Sequence, residues 1–294
     1  MAIVFAVITL FCYGIDYLFI RKGLVKSPNP MLASFITLSV NVSFFLVYVL
    51  LFESVSLVSF DLVYFFIIAG IMAPGLARVF SYKGLQTVGM SIAAPIVNAE
   101  TLFAFTLAVI FLGEPITFMI LTGVLSVVAG LVILGYESGR KNPGTASRKI
   151  RYRYLIYPLL ASFCYGTSIF LRKLGLNVLG SPIIGAFFTS ATSWLIILIT
   201  VSASGNLARW REVKKESLFC FLIGGCLTCI GWYALFHALH IGRVSIITPI
   251  ATSYSLITLL FGYLFLRDVE RITKRIVIAT VLVVGGIVLL CLGK

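Results

Sequence analysis

Apolar residues arrive in long, nearly unbroken runs, and polar residues are confined to short stretches between them. A helix needs about 20 residues, at about 1.5 Å each, to cross a hydrocarbon core of about 30 Å. Runs of that length cover residues 3–20, 31–52, 62–80, 92–112 and 116–135, and again 154–171, 183–201, 218–239, 244–266 and 276–292. Barrel strands would be about ten residues of alternating polarity, and these runs do not alternate. The pattern predicts an all-α integral membrane protein with ten transmembrane helices, neighbouring spans running antiparallel through short connections.

The pattern is also said twice. Phe11-Cys12-Tyr13-Gly14 recurs as Phe163-Cys164-Tyr165-Gly166 at an offset of 152, and Ser91-Ile92 with Pro95-Ile96 recurs as Ser245-Ile246 with Pro249-Ile250 at 154. Gly130-Leu131-Val132 is echoed by Gly286-Ile287-Val288 at 156, so two small insertions separate the copies. A period this long is a duplicated half-protein, as in many secondary transporters, and no solenoid unit. Five crossings per copy turn the second copy upside down. The expected organisation is a five-helix repeat over 1–136, a basic cytoplasmic linker over 137–152 and an inverted five-helix repeat over 153–294.

Composition agrees about the solvent. Hydrophobic residues make up 60% of the chain, charged residues only 11%, and the mean hydropathy is +1.10; about 25% charged would be usual for a soluble domain. The net charge of +13 is chiefly a topology signal, because nineteen of the 23 lysines and arginines fall in the odd-numbered connections or at the span ends beside them. Arg172, Lys173, Arg243 and Lys294 are left for the other face. Basic connections stay in the cytoplasm, so both termini are expected outside, in a multi-pass protein of the cell membrane. The charge forms no single patch of the kind that binds nucleic acid. The first apolar run belongs to the repeat and lacks a basic stretch ahead of it, which argues against a cleaved leader.

Chemistry inside the spans needs a reason, since a charge at mid-span costs about 2.5–3.5 kcal/mol on insertion scales. Glu100 lies near the middle of its run, with Asn98 two residues before it and Arg78, Tyr82 and Lys83 on the preceding span. The repeat offset carries Arg78 to Trp232, Tyr82 to Phe236, Lys83 to His237, Asn98 to Thr252 and Glu100 to Tyr254. One copy thus supplies charges where the other supplies rings. With the duplicated Tyr13 and Tyr165, these residues compose a candidate binding surface for a small zwitterionic or amphipathic solute. The same residues also read as a buried ion pair tying the third and fourth spans together, with the rings as ordinary packing. Asp16 and His237 are candidates for coupling to a cation or proton, against interfacial pairing with Arg21 and a simple hydrogen bond respectively. Pro95 and Pro249, at matching positions, are candidate gates if they bend their helices, and harmless if they stand in a first turn. Glu114, just before Pro115, suits the amino end of the next helix.

Other chemistry is poorly supported. Cys226 and Cys229 have a metal-like spacing without a second ligand pair, no Gly-rich loop ends in Gly-Lys-Ser/Thr, and His237 and His240 lack the intervening Glu of a metalloprotease helix. No metal, cofactor or enzymatic activity is expected.

The order Ser91-Ile92-Ala93-Ala94-Pro95, Phe111-Leu112-Gly113-Glu114, Gly123 and Gly130, together with the duplication, resembles the EamA family of the drug/metabolite transporter superfamily over nearly the whole chain. That resemblance implies a ten-helix carrier with a central cavity formed by the first four spans of each half and with the fifth and tenth at the periphery, where Gly123, Gly130, Ala279, Gly285 and Gly286 would allow close packing. It implies export of amino acids or other metabolites. Two features depart from it: the second copy reads Leu266-Arg267-Asp268 in place of Leu-Gly-Glu, and the charge distribution puts the termini outside. The combined expectation is a secondary transporter working by alternating access at a midplane cavity, with the lipid bilayer and a small solute as its partners. A passive channel is the alternative, and an intramembrane enzyme a remoter one.

Overall fold

A computed structural model of the chain describes residues 1–53, 60–88, 90–140, 152–205, 213–254, 256–257 and 274–293. Among the described residues there is no strand. The helices are α1 (Ala2–Lys26), α2 (Pro30–Phe52), α3 (Phe60–Gly70), α4 (Ala77–Val88), α5 (Met90–Asn98), α6 (Glu100–Leu112), α7 (Phe118–Arg140), α8 (Ile156–Leu179), α9 (Pro182–Ala203), α10 (Lys215–Ile241), α11 (Val244–Thr252) and α12 (Lys274–Leu292). Eight described stretches are long and apolar enough to span a membrane, and Phe118–Leu134 is a shorter apolar helix. The stretch α11 opens the ninth expected span. Its continuation, the Leu266-Arg267-Asp268 motif and most of the basic linker lie outside the described residues.

The chain divides into two compact units that do not follow the sequence repeats: Met1–Ile71 with Leu171–Ile241, and Met72–Phe170 with Gly242–Lys294. Each unit therefore combines helices from both copies.

In the first unit α1 lies along α10, and small residues set the distance. A Cβ on Gly23 would stand 2.5 Å from the Phe221 ring, and one on Gly231 2.6 Å from the Tyr13 ring. Where lipid offers no hydrophobic drive between helices, such close approach and interhelical hydrogen bonds hold them. The Ser217 hydroxyl donates to the Gly23 carbonyl at 3.0 Å and that of Thr9 to the Gly231 carbonyl at 3.2 Å. The helices α2 and α9 start alike in the two copies. Asn29 precedes Pro30 and Ser181 precedes Pro182, and each side chain accepts from a backbone N–H three residues on, Leu32 at 3.2 Å and Ile184 at 3.4 Å. Proline at the first helical position has no N–H to leave unsatisfied. Trp194 stacks on Phe35 and donates its indole N–H to Ser39 at 2.8 Å.

In the second unit α7 packs on α12 through the expected small residues. A Cβ on Gly130 would meet Val283 at 2.5 Å and the Ala279 carbonyl at 2.8 Å, and one on Gly286 would meet the Gly123 carbonyl at 2.7 Å. Ser126 donates across the contact to the Leu282 carbonyl at 2.7 Å. Gly285 takes no part in this approach, because nothing lies within 4 Å of its missing Cβ.

The third span is broken. Between α3 and α4, Ile71–Leu76 forms a π-type turn in which Ala73 is extended (φ −151°, ψ 137°) beside Pro74. Breaking a helix in lipid frees carbonyls that must be satisfied internally. Within the first unit the Ser193 hydroxyl donates to the Gly70 carbonyl at 2.8 Å, and within the second the Ser168 hydroxyl donates to the Ala73 carbonyl at 3.1 Å. The repeat-related Thr228-Cys229 stand inside the unbroken α10.

Candidate functional site

Four of the expected residues converge in the second unit. Arg78, near the start of α4, donates a hydrogen bond to the phenolic oxygen of Tyr165 in the middle of α8, and Glu100 and Tyr82 are near enough to act on that phenol electrostatically. The Tyr165 ring packs on Ala73, Ala77 and Cys164. The neighbouring glycine brings the elements together: a Cβ on Gly166 would stand 2.7 Å from the Glu100 carbonyl and 2.9 Å from the Ala104 nitrogen, so α8 rests directly on the first turn of α6. The duplicated Phe-Cys-Tyr-Gly motif thus has a mechanical reason for its last two letters in the second copy. Tyr contacts Arg, and Gly lets the helices close.

Glu100 begins α6 because the fourth span is interrupted. Ala99 (φ −68°, ψ −2°) separates α5 from α6, four residues after Pro95. The second copy does the same, with Ser253 (φ −71°, ψ 5°) following α11 four residues after Pro249. Both prolines are the sixth residues of their helices, past the first turn. The breaks are tied together, since the Thr101 and Thr252 hydroxyls share a buried hydrogen bond of 2.9 Å. Asn98, grouped with Glu100 in the sequence, instead donates to the Leu131 carbonyl of α7 at 3.1 Å. Tyr254 follows the second break and is partly buried. Lys83 is exposed, with its ammonium 5.9 Å from the Tyr157 ring centroid, and does not join the Arg78 cluster.

The remaining expected residues belong to the first unit. Tyr13 lies on the bare face of Gly231. Asp16 accepts from the Thr228 hydroxyl at 2.9 Å, and its other oxygen is 2.6 Å from where a Cβ on Gly224 would be. It stands ten residues before the α1 carboxyl end. The Nδ1 of His237 is 2.8 Å from the Tyr233 carbonyl, and its ring lies between Phe5 and Tyr233. Trp232 is buried under Arg172, whose guanidinium carbon is 4.8 Å from its ring centroid and 5.4 Å from that of Phe236.

Arg172 and Lys173 are the residues that sequence reasoning misplaced. Read as outer-loop charges, they sit inside α8, which continues to Leu179. Arg172 is 5% exposed and stacked on rings, while Lys173 donates to the Leu239 carbonyl at 2.7 Å and the His240 carbonyl at 3.3 Å, closing the carboxyl end of α10. A lysine there satisfies orphan carbonyls and the negative end of the helix dipole. The available signal was that apolar residues resume after the two basic ones, and the turn cluster Gly180-Ser181-Pro182 comes only seven residues after Lys173.

Glu114 caps a helix, though of a different span from the one its sequence position suggested. It is 8% exposed and accepts from the backbone N–H groups of Val244 at 2.7 Å and Ser245 at 2.9 Å and from the Ser245 hydroxyl, at the amino end of α11. Gly113, in the left-handed region at φ 63°, ends α6 and turns the carboxylate toward those donors.

An apolar groove of about 810 Å³ between α2 and α10 is lined by Ile36, Phe44, Val47 and Leu222 among others, and by none of the expected binding residues. It offers no charge to a polar solute.

The model of the EamA-like transporter family matches residues 1–136 and 153–292. A crystal structure titled only "Crystal structure of protein" is similar to the whole fold, with a TM-score of 0.76 over 99% of this chain and 96% of that one at 14% identity. An uncharacterized protein of Methanocaldococcus jannaschii, MJ1333.1, is 26% identical over 140 residues, which make up 48% of this chain and 97% of that protein. A relative whose length is almost wholly matched by half of this chain accords with the duplication.

Proposed function

The chain belongs to the EamA-like transporter family, and on that premise we propose that it is a secondary carrier that exports amino acids or similarly amphipathic metabolites through a mid-span site built on Arg78, Glu100 and Tyr165. As a member of that family it is a membrane protein of the drug/metabolite transporter type. One observation carries the finer reading: the Arg78 hydrogen bond to Tyr165, with Glu100 beside it, gathers a cation, a carboxylate and a phenol from the third, fourth and sixth spans.

The chemistry follows from the donors. A guanidinium binds a carboxylate with two parallel bonds, whereas a carboxylate flanked by rings accepts an ammonium group. In this reading Arg78 and Glu100 lower each other's cost in the membrane between transport events. A zwitterion would substitute for that mutual help at both ends, so binding need not strand either charge. The helix breaks after Pro95 and Pro249 give the fourth and ninth spans a place to bend. In this reading they are the hinges of alternating access between two oppositely inserted repeats. Asp16 and Thr228 form a second polar contact inside the membrane, suited to coupling.

The test is counterflow in proteoliposomes preloaded with unlabelled amino acids. Accelerated uptake of label in exchange for internal solute supports a carrier, and its loss in Glu100→Gln supports the site. Flux down a gradient without exchange acceleration would make the protein a channel, and no flux with any metabolite class would remove the proposal.

A further inference from the structure

A pocket of about 470 Å³ lies between the basic ends of α1 and α10, lined by Lys22, Lys26, Lys215, Glu216, Ser217, Phe219 and Cys220. Three ammonium groups face one carboxylate there. Lys26 and Glu216 form an ion pair, which leaves the positive charge of Lys22 and Lys215 in excess. Lys22 and Lys26 share one face of α1, being one helical turn apart. The floor is rigid: Ser217 donates to the Gly23 carbonyl at 3.0 Å, Gly23 lies flat against Phe221, and the Ser27 hydroxyl accepts from the Lys214 N–H at 3.2 Å.

The pocket also has an apolar exit. Phe219 is 65% exposed, and from it Leu222, Cys226 and Ile230 continue as an exposed stripe along α10 at helical spacing. A soluble anion would use the lysines and gain nothing from that stripe. An amphiphile whose phosphate sits among the lysines would lay a chain along it. The depth fits as well, since Lys22 and Lys215 flank the apolar runs of α1 and α10 at the level where phospholipid headgroups reside.

We propose that this pocket is a binding site for an anionic phospholipid, its phosphate held by Lys22 and Lys215 and an acyl chain lying on Phe219, Leu222 and Ile230. The Lys26–Glu216 pair then serves as a wall that fixes the third lysine and excludes a second anion. Arg78, Glu100 and Tyr165 are not among the residues that line this pocket, so the inference stands apart from the transport reading.

The test is native mass spectrometry of the full chain in detergent, titrated with phosphatidylglycerol or phosphatidylcholine. The wild type should retain phosphatidylglycerol at least tenfold more strongly. The Lys22→Gln/Lys215→Gln double variant should lose most of that preference, while Lys274→Gln, at the exposed basic start of α12 and outside the lining of this pocket, should keep it. Both altered lysines are exposed, and an unchanged melting curve will verify the fold. Equal retention of the two lipids, or an unaltered preference in the double variant, overturns the proposal. Displacement of the lipid by inorganic phosphate or glycerol phosphate at matching concentration overturns it too, by making the site one for a free anion.

Discussion

Glu114 and Ser245 are joined twice, the carboxylate accepting from both the backbone N–H and the hydroxyl of the serine. Glu114 closes the fourth span of the first repeat, and Ser245 opens the corresponding span of the second. The residue that ends one motif thus starts its counterpart. The Leu-Gly-Glu sequence therefore has a physical role: a left-handed glycine turns a carboxylate onto the orphan donors of another helix.

Glu114→Ala leaves two buried N–H groups and a hydroxyl without their acceptor. The expected loss is about 2–3 kcal/mol of unfolding free energy, read as a lowered midpoint in mixed-micelle unfolding. Ser245→Ala removes one bond and should cost about 1 kcal/mol. An unchanged midpoint for Glu114→Ala would show that water takes over the cap.

Tyr165→Phe deletes the oxygen that accepts from Arg78 and little else. If the Arg78 cluster binds solute, counterflow should fall about tenfold, equivalent to about 1.4 kcal/mol, with normal yield and melting behaviour. Arg78→Ala should reduce uptake of carboxylate-bearing solutes selectively. Equal loss for every solute, accompanied by poor assembly, would favour the purely structural ion pair.

Legibility in the sequence varied with how local the determining contact was. Apolar run length marked the eight long apolar helices among the described residues, because burial in lipid acts on every residue of a run. The expectation of close packing at small residues matches the contacts of Gly123, Gly130 and Gly286 but not of Gly285, because run composition does not say which face of a helix meets its neighbour. Tertiary partners were not visible. Arg172 and Lys173 look like loop residues in the sequence because their support comes from Trp232 and the end of α10, some sixty residues away. Asn98 was grouped with Glu100 by proximity, although two residues along a helix is a turn of about 200°, and it faces Leu131. The prolines gave the right segments, while the breaks come four residues later at Ala99 and Ser253, where nothing in either residue type announces them.

Gly130→Leu and Gly285→Ala should separate sharply despite both being glycines of the fifth and tenth spans. The first would drive a side chain into Val283 and the Ala279 carbonyl, at 2.5 and 2.8 Å from its Cβ, and backbone cannot rotate away. Loss of folded protein, or at least about 3 kcal/mol, is expected. The second meets open space and gains up to about 1 kcal/mol of helix propensity. Size-exclusion profiles and melting midpoints will distinguish them.

Asp16 offers the most discriminating contrast between coupling and packing. Asp16→Asn retains an oxygen for the Thr228 hydroxyl and nearly the same volume, so it removes charge alone. Thr228→Val does the reverse, keeping the carboxylate and deleting its donor at the cost of about 1 kcal/mol. Should Asp16 carry the coupling cation or proton, Asp16→Asn would abolish gradient-driven accumulation yet keep solute counterflow, because exchange needs no net movement of the coupling ion. Thr228→Val would keep both activities in weakened form. Gly224→Ala, whose Cβ would fall 2.6 Å from the carboxylate, should displace Asp16 and impair accumulation more than exchange. If Asp16→Asn instead lowers the melting midpoint as far as Thr228→Val does and slows both modes equally, the carboxylate is a structural tie between α1 and α10, and coupling must be sought elsewhere.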